Sequence, residues 1–132
     1  MRAARGLCAA VGAAAMLAAA AAETSPEFVR CMDDAIAAGA LINVGRLQCV
    51  AKERRAHQLV LDQLYAARES GLAPAQRQRL RAARRRWDQF RQDWCALRAV
   101  AEPAPHPEVA RGLCEIDLLD EQVKRMQSTP LR

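Results

Sequence analysis

Apolar positions along the chain step by alternating threes and fours, the spacing that lines one face of a helix. The strongest run is Leu80 to Cys95, LRAARRRWDQFRQDWC, where Leu80, Ala83, Trp87, Phe90 and Trp94 continue to Leu97 and Ala101. A helix facing a partner helix requires this spacing. The run holds both tryptophans and one of the two phenylalanines, so in a chain this poor in aromatics it is expected to form the buried centre of the core. Arginines flank it at Arg77, Arg84, Arg91 and Arg98, with Arg79 and Arg86 on the other shoulder. Their stems can cover apolar surface while the charges stay in water.

The remaining pattern predicts three further helices. Ser25 can cap a first helix, with Pro26 tolerated at its first position and Glu27 favouring its positive end, and Phe28, Met32 and Ile36 share its apolar face. Gly39 is a natural stop near Ala38. Asn43 can cap a long second helix, whose apolar face of Leu47, Val50, Leu61, Leu64 and Tyr65 is broken by Arg54 and His57. It ends near Ser70-Gly71, and Pro74 opens the third helix. Three alternating prolines, Pro103, Pro105 and Pro107, end that helix in a turn. The fourth helix carries Val109, Gly112, Ile116, Leu119, Val123 and Met126, and Gln127 to Arg132 is expected to fray. With no strand alternation and no repeat, the fold class is all-α, a small antiparallel bundle of about four helices.

The N-terminus changes where this bundle is expected to fold. Arg2 and Arg5 precede an apolar run from Leu7 to Ala20, and Ala20-Ala21-Ala22 offers small residues for cleavage, so residues 1–22 read as a secretory signal peptide and 23–132 as one domain. The apolar run falls short of the roughly 20 residues that span a bilayer. The destination is periplasmic or secreted, and the domain is not membrane-spanning. Cys8 leaves with the signal, and four cysteines remain, Cys31, Cys49, Cys95 and Cys114, an even number that suits disulfides in an exported chain. Cys31 and Cys49 are equidistant from the first turn, and Cys95 and Cys114 from the proline turn. In an antiparallel hairpin such residues come level, which favours pairing Cys31 with Cys49 and Cys95 with Cys114. Cys95 and Cys114 lie beside the apolar stripes, so the second bridge is expected at a hairpin edge, with an irregularity near Gly112.

These residues resemble a family, the small exported domain called LprI-like after a bacterial lysozyme inhibitor. The resemblance rests on Cys31-Met32-Asp33, Cys49, Leu61-Asp62 before Tyr65, and the run from Leu80-Arg81 through Trp87, Phe90-Arg91 and Cys95, closed by Cys114. It covers essentially the whole mature chain. Asp62, Arg84 and Gln122 depart from the residues usual there, which are asparagine, glutamine and arginine. The resemblance implies a helical, disulfide-stapled domain with Tyr65, Trp87, Phe90, Arg91 and Trp94 as its structural motif, and an inhibitor of a lysozyme-type or other cell-wall enzyme.

Candidate chemistry adds little to this. No nucleophile sits beside a base, and no carboxylate pair, glycine-rich loop or CxxC motif is present, so the chain reads as a non-enzyme without cofactor or metal. His57 reads as a core histidine, His106 as a solvated turn residue, and Asp33 and Asp34, being adjacent, point to different sides of a helix. Arg77, Arg81, Arg84 and Arg85 form a basic face that could hold an anionic envelope polymer such as lipopolysaccharide or a teichoic acid; export argues against nucleic acid. The bland alternative is ion pairing with Glu53, Asp62, Asp117, Asp120 or Glu121 on neighbouring helices. Net charge, +5 for the whole chain and +3 once Arg2 and Arg5 leave with the signal, disfavours encounter with a cationic lysozyme unless a local acidic edge, Asp117, Asp120 and Glu121, makes the contact. A structural envelope protein with no dedicated ligand is the remaining reading.

Overall fold

A computed structural model describes residues 24–39, 41–101 and 106–130. Four helices follow in order: α1 Pro26–Ala37, α2 Ile42–Ser70, α3 Pro74–Ala101 and α4 Pro107–Ser128. There are no strands among the described residues. Two of the helix starts carry side-chain caps. Ser25 Oγ accepts from the Phe28 amide with proline following, and His106 caps α4 by accepting from the Glu108 amide, so this histidine has a structural use at its turn. Asn43 does not cap α2, which begins one residue earlier, after Leu41, with no side-chain cap. Gly39 supplies the left-handed backbone of the α1–α2 turn at φ 70°. Residues 102–105, with the first two prolines of the second turn, and the expected signal peptide lie outside the described residues. The expected fraying begins later than position 127, because α4 runs to Ser128.

α4 lies at the centre and packs against α2 and α3, and α1 packs against α2. Phe28, Cys49, Val50, Val109 and Ile116 form one cluster of the core, and Leu61, Tyr65, Leu119, Val123 and Met126 form the other. Between α2 and α4 the approach is closest at Gly112, where a Cβ atom would lie 2.1 Å from Val50 Cγ1. That contact is why the fourth helix carries glycine in the middle of its apolar face, despite the cost of glycine in a helix.

Both expected disulfides are present, with Cα–Cα separations of 5.7 Å for Cys31–Cys49 and 5.6 Å for Cys95–Cys114. The second bridge is not at a hairpin edge. Cys95 is 0% exposed and Cys114 is also buried. This placement corrects the expectation for α3, whose buried residues are Arg91, Cys95 and Ala99. Trp94 precedes Cys95 by one residue and therefore sits roughly 100° away round the helix. Consequently Phe90 and Trp94 are 52% and 44% exposed and Leu97 is 61% exposed. Trp87 is half-buried at the margin of the second cluster. The aromatic run is thus a surface stripe with its first tryptophan tucked in, and α4, not α3, supplies the centre of the core. Ile36 on α1 is likewise half exposed, leaving Phe28 as the buried anchor of its face.

Candidate interaction surfaces

A buried polar group joins α1 to α2. Glu53 accepts from the Ser25 amide at 2.9 Å through Oε1 and from the Ser25 hydroxyl at 2.8 Å through Oε2, and His57 Nε2 lies 3.1 Å from Oε1. Serine, glutamate and histidine are here in the wrong order for nucleophilic catalysis. The hydroxyl donates to the carboxylate and never reaches the imidazole that would have to take its proton. The trio is a strut between the start of α1 and the middle of α2. Burial works to raise the Glu53 carboxyl, but the hydrogen bonds from Ser25 and His57 outweigh it and hold the group below the usual carboxylate range. A depressed pKa contributes stability above the unfolded value, about 4.3 for glutamate, which is lost as pH falls through the folded value. Thermal unfolding of the wild type is therefore expected to lose stability more steeply below pH about 4.3 than a Glu53→Gln variant, whose profile in that window should be flatter.

Of the arginines of the expected anionic-ligand face, Arg81 and Arg84 are engaged by acids of α2. Arg81 holds Glu69 Oε2 through Nε at 3.0 Å and Nη2 at 2.8 Å, across the α2–α3 turn. Arg84 pairs with Asp62 and covers the Tyr65 ring, with its guanidinium carbon 4.7 Å from the centroid. Arg77 is half-buried and Arg85 exposed, and with Pro74, Gln78 and Arg81 they line an open hollow of about 480 Å³. Two of the positions that depart from the family's usual residues, Asp62 and Arg84, thus compensate each other as an ion pair.

Arg91 is a structural residue. Its guanidinium lies 5.1 Å from the Trp87 centroid, donates to Gln58 Oε1 at 2.9 Å and approaches Asp88 at 3.5 Å. Tyr65 accepts from Gln122 at 3.0 Å, and both line an apolar cleft of about 290 Å³ with Leu80, Ala83, Trp87 and Met126. Sequence reasoning missed Glu115, which is buried and takes Arg54 at 2.8 Å and Arg111 at 3.3 Å. The four-residue spacing of Arg111 and Glu115 was the visible signal.

Two surfaces remain outside. One is the stripe of Phe90, Trp94 and Leu97, in which the two rings stack at 6.2 Å between centroids and 15° between planes. The other is the acidic edge on α4. Asp117 and Glu121 are exposed there, and Asp120 holds Lys124 at 2.7 Å. The carboxyl of Asp117 is raised from its ordinary value, first by the loss of water around it and next by Glu121 and Asp120, against the pull of Arg98. Among the described residues no group of three or more histidine, cysteine or acidic side chains could hold a metal, and no helix is long and apolar enough to cross a membrane.

No curated protein and no solved structure matches the chain. The model of the family described as lysozyme inhibitor LprI matches residues 31–126, from the first half-cystine of α1 to the last buried methionine of α4. Both disulfides and both core clusters except Phe28 fall within that span. The chain therefore belongs to the LprI lysozyme inhibitor family.

Proposed function

We propose that this protein is an exported, non-enzymatic module that binds and inhibits a lysozyme-type cell-wall enzyme, with residues 1–22 as the cleaved signal and 23–132 as the working domain. The family match over residues 31–126 carries the reading. Two disulfides support export, since such bonds persist in oxidising compartments. The contact surface is the acidic edge of Asp117, Asp120 and Glu121. Charge on a basic protein meets a cationic enzyme favourably only where acid is concentrated, and Asp117, Asp120 and Glu121 share one edge of α4, with Asp117 and Glu121 exposed.

Calorimetric titration of a cationic lysozyme with the oxidised exported protein tests this. Saturable binding is expected, weakened about tenfold or more by Asp117→Lys with Glu121→Lys, since like charge would face the enzyme. Binding should also weaken on acidification from a pH above the ordinary aspartate value, because Asp117 takes up its proton early. Absence of binding across several lysozymes would defeat the reading.

The hollow between Arg77 and Arg85 favours a second reading, retention of an anionic envelope polymer. Charge reversal at Arg77 and Arg85 should then release the protein from immobilised lipopolysaccharide or teichoic acid. Unchanged retention would remove that reading.

A further inference from the structure

The stripe left outside by the fold has the spacing of a helix contact, yet among the described residues no helix covers it. Ala83, Trp87, Phe90, Trp94 and Leu97 step by four, three, four and three, as in a two-stranded contact, whereas the buried face of α3 steps by fours through Arg91, Cys95 and Ala99. We propose that this stripe is where a second copy of the chain docks, with its α3 antiparallel to the first about a twofold axis passing between Asp88 and Gln89.

That axis makes the face complementary to itself. Trp87 meets Phe90 of the second copy, and Trp94 meets Ala83, a large ring against a small residue. Ala83, Leu80 and Trp87 already wall the apolar cleft of about 290 Å³, so the incoming Trp94 has space to enter. On the outer shoulder Arg86 faces Asp93 of the second copy, and the symmetry makes that pair twice. Arg86 is exposed, and Asp93 is engaged only by the neutral Gln89 amide, at 3.0 and 3.1 Å. Arg84 and Arg91 on the inner shoulder are already held by Asp62, Asp88 and Gln58. The same axis sets Arg84 opposite Arg91 of the second copy, a like-charged pair offset by their own acids, Asp62 and Asp88. Half-open Phe90 and Trp94 rings from two copies contribute on the order of 400 Å² of apolar surface, so the contact is small and association should depend on concentration.

Sedimentation of the oxidised exported protein from roughly 1 to 500 μM tests the pairing. The mass is expected to rise from one copy toward two. Arg86→Asp or Asp93→Arg alone should weaken association about tenfold, and the two reversals combined should restore most of it. Trp94→Glu should abolish it. A single copy at every concentration, a dimer indifferent to Trp94→Glu, or a double reversal no better than either single change would overturn the proposal. So would a monomer that loses lysozyme binding on Trp94→Glu, which would give this face to the enzyme instead.

Discussion

Removal of the Cys95–Cys114 bridge by the double change Cys95→Ala, Cys114→Ala is expected to cost roughly 3–5 kcal/mol, the largest loss of any change considered, and to lower the melting temperature by well over 10 °C. The bridge closes a loop with a sequence separation of 19, worth about 3 kcal/mol by chain entropy. Its sulfurs are also core atoms, with Cys95 at 0% and Cys114 at 5% exposure, so their loss opens a void against α4. The other bridge, with a separation of 18, has nearly the same entropic weight, but Cys31 is only half-buried. Removing Cys31–Cys49 should therefore cost less. Denaturant melts of the two double variants would check the order, and a larger loss from the first hairpin would show that the second bridge does not hold the core.

Leu119→Ala is expected to cost about 2–5 kcal/mol, whereas Trp94→Ala should cost under about 1 kcal/mol. Leu119 is 0% exposed between Leu61 and Val123 on the axis of the bundle, and truncating it leaves a cavity that well-packed helices cannot collapse. Trp94 is the larger residue and would dominate any core it entered. Here it stacks on Phe90 at the surface of α3, and its removal exposes little that was hidden. Equilibrium unfolding of the two variants separates the arrangements directly. If Trp94→Ala proved the more damaging, α3 would have to be turned inward by its aromatics.

Those two variants also mark what the amino-acid order could and could not disclose. The starts at Ser25-Pro26 and Pro74 were legible as local backbone signals, whereas Pro107, read as the end of a turn, opens α4, and Asn43 caps nothing. The disulfide pairing was legible because equal distance from a turn is a geometric condition on sequence positions. The rotation of α3 was not. Its apolar residues admit two neighbouring faces, one rich in rings and one carrying Arg91 and Cys95, and aromatic weight favoured the first. A covalent bond to α4 settled the second. The arginine at the buried centre of that face is received by Gln58, 33 residues earlier, as well as by Asp88 on its own helix, and no spacing rule links it to Gln58. Glu115 and Arg54, 61 residues apart, were hidden for the same reason. Pairing of the basic face with Asp62 was legible, and Arg84 makes it, whereas Glu69, which takes Arg81, stands level with it only once the hairpin closes.

The functional account is tested most directly by the rate at which a cationic lysozyme clears a cell-wall suspension as the oxidised protein is added. The expected result is a saturable fall in rate that ends near one protein per enzyme and disappears with Asp117→Lys and Glu121→Lys. Clearing at an unchanged rate, with a large excess of intact oxidised protein over each lysozyme tried, would contradict it.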